Sequence, residues 1–347
     1  MAKKKAADPY ALYRSVGGKQ VSFGTRKSSP MVWDFGWTHE SKRTDAQQVA
    51  HHKAVGEMPR FRIDGKSLSE DSAVTEALLY KLWTHPHVVE ANGYAYPGNR
   101  QVTGSCVGVS YGNIVMTLAC VEAITLGEPE VALIPFWLLS YGRGRYYGGS
   151  RSPGEGSQGS TQAKAAREDG DVPAKTAGLP TWTTDDMLCW GKSAELSWSD
   201  GDAQQTMALL PQSRRHLVKT TAQCADHNDV REALVNGYPC TAASMYAHNG
   251  GRVQGNPPVL LAKRGGSWSH QMGVIAWMEH PQFGELFYLM NQWGKGAHGQ
   301  DPFGAPLGGV WITSSDMDYI CRDEVFAYSQ RQGYPAPAPD KIPWIYL

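Results

Sequence analysis

The sequence predicts an α+β protein, and two observations carry that prediction. Val107 to Leu126 is a long, mostly apolar stretch whose polar points are confined to Ser110, Asn113, Thr117, Glu122 and Thr125. It reads as one largely buried helix, opening at Gly104–Ser105–Cys106 and closed by Gly127. The second half then breaks into short β-type runs between turns: Cys240 to Tyr246, Gln271 to Met278, Leu286 to Asn291 and Gly309 to Thr313. A buried helix ahead of an antiparallel β half is an α+β pattern.

The other elements follow in order. Residues 1 to about 60 are polar and irregular, with the basic start Lys3, Lys4 and Lys5, a solvated terminus on its face. His51–His52 and His85–Pro86–His87 lack a third ligand and read as polar surface. Phe61–Arg62–Ile63 alternates like a short strand, and Ser69 to Leu82 has apolar residues at helical spacing. Ala91 to Asn99 is a Gly/Pro/Asn loop. A second apolar piece, Val131 to Tyr141, precedes a glycine-rich loop through Gly142, Gly144, Gly148–Gly149, Gly154, Gly156 and Gly159. That loop lacks the Gly-Lys-Ser/Thr ending of a phosphate cradle and reads as a cleft rim. Thr161 to Glu168 is a short helix, 171–212 is polar and dotted with tryptophan, and Asp229 to Asn236 is a helix capped in capping-box style by Asp229 and Glu232.

Composition excludes several functions. The chain has 347 residues, with 33 Lys plus Arg against 33 Asp plus Glu, so no net field draws it to nucleic acid or an anionic membrane. No specific nucleic-acid motif is present. The run Val131 to Leu139 is about half a bilayer span and holds a proline, and the reading excludes a membrane protein. Charged and polar residues follow Lys5 where a signal peptide would be apolar. The six cysteines, Cys106, Cys120, Cys189, Cys224, Cys240 and Cys321, form no CxxC pair. Reduced thiols, no disulfide and an intracellular setting are expected. Cys224–x–x–His227 has no second pair at zinc spacing.

Three segments carry chemistry together. Gly104–Ser105–Cys106 sets a cysteine on the first turn of the buried helix, where the partial positive charge favours thiolate and predicts a depressed thiol pKa. Ser269–His270–Gln271 sets a histidine at the start of an apolar strand, and Met290–Asn291–Gln292–Trp293–Gly294 ends another. A thiol nucleophile needs a base, and the imidazole needs a partner that fixes its tautomer.

In these motifs the chain resembles the papain-like cysteine peptidases, whose pattern has Cys after Gly-Ser at a helix start, His opening a strand, and Asn in Asn-Ser-Trp-Gly. The resemblance covers about 95 to 325 and includes the Gly159 to Gly170 helix and the Asp229 to Pro239 helix and turn. It implies a two-lobed fold with a cleft between a helical left lobe (about 96–215) and an antiparallel β right lobe (about 216–333). Residues 1–95 form an N-terminal extension and 334–347 a Pro-rich tail. It further implies Cys106 as nucleophile, His270 as general base and acid, Asn291 as orienting group and Trp293 as its cover. The substrate would be a peptide or isopeptide bond, with no metal or organic cofactor. Two departures stand out. The family's oxyanion glutamine lies six residues before the cysteine, where this chain has Arg100; Gln101 lies one residue nearer, so Gln101 or Arg100 is the candidate donor. The residue after the nucleophile is Val107, and Thr103 stands where a disulfide cysteine is usual. Residues 1–95 lack the long charged helices of papain-type propeptides. The competing class is a catalytically weak or inactive structural protein of an assembly. Diverged chains of this kind resemble those of bacteriophages, where a virion-associated role would fit.

Overall fold

The computed structural model describes residues 44–335, except 60, 62–73, 129, 185–186, 295–296 and 332. Of the expected strand at Phe61–Ile63 only Phe61 is described, outside any strand and with its N–H on the Gln223 carbonyl at 2.9 Å; most of the tail lies outside the described residues. The elements, in chain order, begin with α1 (Asp45–Gly56), β1 (Glu76–Leu78), α2 (Pro86–Asn92), β2 (Asn99–Arg100), α3 (Cys106–Cys120), β3 (Glu130–Val131), α4 (Trp137–Tyr147) and α5 (Gly159–Glu168). Next come β4 (Thr183–Thr184), β5 (Leu188–Cys189), α6 (Lys192–Ser197), α7 (Gln204–Ser213), β6 (Val218–Gln223), α8 (His227–Val235), β7 (Cys240–Gln254) and β8 (Val259–His280). The chain closes with β9 (Gly284–Met290), β10 (Val310–Thr313), α9 (Ser314–Cys321), β11 (Glu324–Arg331) and β12 (Tyr334–Pro335).

A seven-stranded sheet runs β10-β9-β8-β7-β11-β6, with β1 added along β8. Its neighbours along that path are antiparallel. The α+β expectation holds: every residue of α3 is buried, between this sheet and the helices of the first half. The apolar stretch continues beyond α3 as a π-helical turn, Val121–Leu126, and ends where Gly127 takes φ 70°, a left-handed stop that glycine adopts without strain. By length and composition alone Cys106–Leu126 could cross a bilayer, a point the sequence reading overlooked; here 89% of its most apolar window is buried in protein.

Several sequence expectations are corrected. Gly142 and Gly144 belong to helix α4, not to a loop, because the packing demands them: a Cβ on Gly142 would collide with the Trp198 carbonyl oxygen, and one on Gly144 would lie 2.8 Å from Gln162 Oε1. The apparent helical spacing toward Leu82 resolves into strand β1 and a 3₁₀ turn, Leu79–Thr84. Helix α8 starts two residues early, and Asp226 rather than Asp229 caps it, accepting from the backbone N–H of Asn228 and Asp229. The stretch 171–212 contains α6 and α7. Strands β6 and β11 fall where the sequence reading placed no element, and β7 and β8 extend well past the predicted runs.

Buried charge ties the two halves together. Arg331 on β11 pairs with Asp171 at 2.5 Å with neither side chain exposed, and Asp171 also receives Tyr111 Oη of α3 at 2.9 Å. Desolvation makes such a pair costly to break from one side, by about 3–5 kcal/mol. None of the six cysteines is in a disulfide. Cys224 is buried and His227 bonds Asp318 at 2.8 Å; no cluster able to hold a metal forms among the described residues.

Candidate active site

Cys106 is the first residue of α3 and is fully buried. Ser105, at the N-cap, does not cap the helix with its side chain; its hydroxyl donates instead to Glu195 at 2.7 Å. That carboxylate also takes the backbone N–H of Val102 at 3.1 Å and of Thr103 at 3.0 Å, and the Thr103 hydroxyl at 2.5 Å. Glu195 therefore holds the loop that delivers the cysteine. Nothing in the local sequence marks it, because it lies on α6, 90 residues away from Ser105.

His270 lies on β8, opposite Ser244 of β7. Pairing of Gly273 with Met290 sets the register that brings the end of β9 back beside the histidine. His270 Nε2 meets Asn291 Oδ1 at 2.9 Å, and the same oxygen accepts the Gln292 backbone N–H at 2.8 Å. A backbone N–H can only donate, so the facing atom is the amide oxygen and His270 Nε2 must carry the hydrogen. Nδ1 is then the basic lone pair, and it makes no hydrogen bond among the described residues. The Trp293 indole lies over the imidazole, centroids 5.0 Å apart and planes at 31°, with Trp268 packed edge-on behind it.

The predicted residues thus converge in part. His270, Asn291 and Trp293 form one cluster. Cys106 approaches it through Gln271, whose backbone N–H is directed at the sulfur and whose side-chain amide reaches Ser110 Oγ of α3 at 2.6 Å. The electrostatics depart from expectation. Burial pushes the Cys106 thiol up to about 11, outweighing the backbone N–H groups of Gln271, Val107 and Cys106 itself. Burial likewise pushes His270 down to about 4, against the Asn291 hydrogen bond. The helix-end effect is worth only about 0.3–1 kcal/mol, up to about 2, so desolvation wins. Burial thus favours the neutral thiol and neutral imidazole over the thiolate that the helix position predicts.

The oxyanion candidates are close by. The Gln101 backbone N–H bonds the Gln292 carbonyl at 2.9 Å, tying the loop before Cys106 to the segment after Asn291. Its side-chain amide donates one hydrogen to the Thr103 carbonyl at 3.1 Å, leaving its second hydrogen available. Arg100 runs instead along Gly294, its Nε 3.3 Å from where a Cβ would stand.

Two further features escaped the sequence reading. His298 Nε2 lies 2.8 Å from Asn291 Nδ2 and its ring is 4.6 Å from that of His248. Burial, with the His270 ring nearby, holds His298 down to about 4. Helix α1 of the N-terminal extension docks on the start of α5: His51 Nδ1 reaches Ser160 Oγ at 2.9 Å and Glu324 at 3.3 Å, and Gln158 Nε2 donates to the Gln47 carbonyl at 3.0 Å. Gly159 sits so close to Gln271 and Glu324 that a Cβ would come within 2.7 and 2.8 Å of their oxygens. Helix α1 therefore packs on the start of α5, whose Gly159 lies against Gln271, the residue after His270.

No family model and no curated protein matches the sequence. Solved structures do match the fold. Procathepsin B from Trypanosoma congolense aligns at TM-score 0.50 and 11% identity, over 88% of this chain and 94% of that one. Xylellain, a cysteine protease from Xylella fastidiosa, aligns at TM-score 0.48 and 14% identity, over 79% and 94%. The cysteine protease and lectin-like domains of Cwp84 from Clostridium difficile align at 0.48 and 12%, over 83% and 60%.

Proposed function

We propose that this chain, which has the fold of the papain-like cysteine proteases, is a thiol hydrolase cleaving peptide or isopeptide bonds through Cys106, His270 and Asn291. The observation that carries the reading is the oriented imidazole: Nε2 engaged by Asn291 at 2.9 Å under Trp293, with Nδ1 unpartnered. A base with a fixed tautomer and an unpartnered lone pair, one residue from the Gln271 whose N–H meets the helix-start cysteine, supplies what acyl transfer to sulfur requires.

In this mechanism His270 Nδ1 takes the Cys106 proton as sulfur attacks the substrate carbonyl carbon. The carbonyl electrons move onto oxygen, where the Cys106 backbone N–H and the Gln101 amide would receive the charge. Collapse expels the amine, which takes the proton from His270 and leaves a thioester on Cys106. Water, deprotonated by Nδ1, then attacks the thioester and frees the acid and the thiol. Asn291 orients the imidazole and stabilises its charged form throughout.

The test uses the full chain and a panel of fluorogenic peptides and isopeptides. Wild type should hydrolyse a member of the panel, and Cys106→Ser and His270→Ala should each lose at least about a thousandfold in kcat while keeping the wild-type melting profile. Turnover unaffected by Cys106→Ser, or no turnover by folded wild type, would refute the reading.

A further inference from the structure

We propose that His298 is a positioning residue of the same triad, accepting from the Asn291 amide and so locking that amide with its oxygen on His270. The consequence for turnover rests on the hydrolase reading above; the consequence for the histidine tautomers rests on the geometry alone.

A side-chain amide is nearly symmetric in shape, so only its hydrogen bonds decide which end faces which neighbour. Asn291 has three hydrogen-bond partners at the site. On one end Oδ1 accepts from His270 Nε2 at 2.9 Å and from the Gln292 N–H at 2.8 Å; on the other Nδ2 donates to His298 Nε2 at 2.8 Å. Turning the amide over would set Nδ2 against the Gln292 N–H, two donors face to face. It would also invite His270 to carry its proton on Nδ1, which removes the base. His298 opposes that turn as long as its Nε2 is an acceptor. Its ring is confined by its neighbours, 4.6 Å from His248 and 5.8 Å from Trp293. Among the described residues, the titratable groups around it are His248 on β7 and His270 on β8, both buried, and protonation of His298 is disfavoured by burial and by His270. Asn291 Nδ2 can only donate, so Nε2 of the neutral ring is the acceptor. The chain of orientation runs from His298 through Asn291 to His270 Nδ1.

The experiment compares wild type with His298→Leu and His298→Gln. Leucine fills similar space without an acceptor, whereas glutamine places a carbonyl oxygen at about the distance of Nε2 from the backbone. In ¹⁵N spectra of wild type, His270 should show the Nε2–H tautomer and His298 the Nδ1–H tautomer. His298→Leu should bring His270 into mixed tautomers and lower kcat on the order of tenfold to a hundredfold with KM nearly unchanged. His298→Gln should restore the His270 tautomer and most of kcat, which a merely space-filling role would not do. His298→Leu turning over at the wild-type rate with the His270 tautomer intact would overturn the proposal. If the leucine variant does not fold, wild type and the glutamine variant decide: an Nε2–H tautomer at His298, or a glutamine variant folded but with His270 protonated on Nδ1, overturns it. Should folded wild type hydrolyse nothing, the hydrolase reading falls, while the tautomers still test the role of His298.

Discussion

Replacing Glu195 probes whether a single buried carboxylate holds the loop that presents Cys106. The side chain has no exposed surface, and burial raises its carboxyl above the ordinary range while bonds from Thr103, Ser105 and Val102 pull the other way. Four donors converge on it, two of them backbone N–H groups that the chain cannot swing elsewhere. Stranding a buried donor costs about 1–3 kcal/mol, so the two N–H groups alone cost about 2–6. The hydroxyls of Thr103 and Ser105 can rotate and recover part of their loss. Removing the burial cost of the carboxylate offsets another part. Glu195→Ala should therefore destabilise the protein by about 4 kcal/mol, a large share of a typical 5–15. Glu195→Gln keeps the volume and one acceptor oxygen but turns an NH₂ toward a donor, and should cost about 2 kcal/mol. Urea unfolding at neutral pH, with equal m-values across the set, measures both. An alanine variant within about 1 kcal/mol of wild type, or a glutamine variant more stable than wild type, would refute the reasoning.

Three other outcomes are expected. Gly112→Ala sets a Cβ 2.7 Å from Trp137 Cδ1 and 2.9 Å from Asn99 Nδ2, so it should lose about 1–3 kcal/mol in urea despite alanine's better helix propensity; a stabilised variant would contradict the close α3–α4 approach. Burial raises Glu122 to about 8, with the Arg331 N–H opposing, so its contribution is fully present below its ordinary 4.5 and is lost as pH rises through 8. Glu122→Gln should consequently match wild type near pH 4 and exceed it by about 2–4 kcal/mol at pH 9; parallel stability–pH curves would count against this. With its thiol near 11, Cys106 in the folded protein should be alkylated by iodoacetamide at pH 7 more slowly than the partly exposed Cys189, as mass spectrometry of peptides would read. Faster labelling of Cys106 than Cys189 at pH 6 would mean that a thiolate–imidazolium pair forms after all.

The fold class was legible in the sequence because its signals are local, and the candidate residues Cys106, His270 and Asn291 stood out for the same reason. An uninterrupted apolar stretch must be buried and Gly127 must end it; the Cys106 and Asn291 motifs sit at element ends that periodicity predicts, whereas His270, expected to open a strand, lies inside the longer β8. What the sequence could not convey is decided by neighbours distant along the chain. Gly142 looks like a loop glycine until the Trp198 carbonyl is seen against it. Glu195 and His298 carry no period and no motif; only the folded chain brings one under the Ser105 loop and the other to the Asn291 amide. Local pattern likewise placed Cys106 at a helix start, where the dipole favours thiolate. Tertiary packing set its protonation, because closing protein around the sulfur costs the charged form more than one helix end returns.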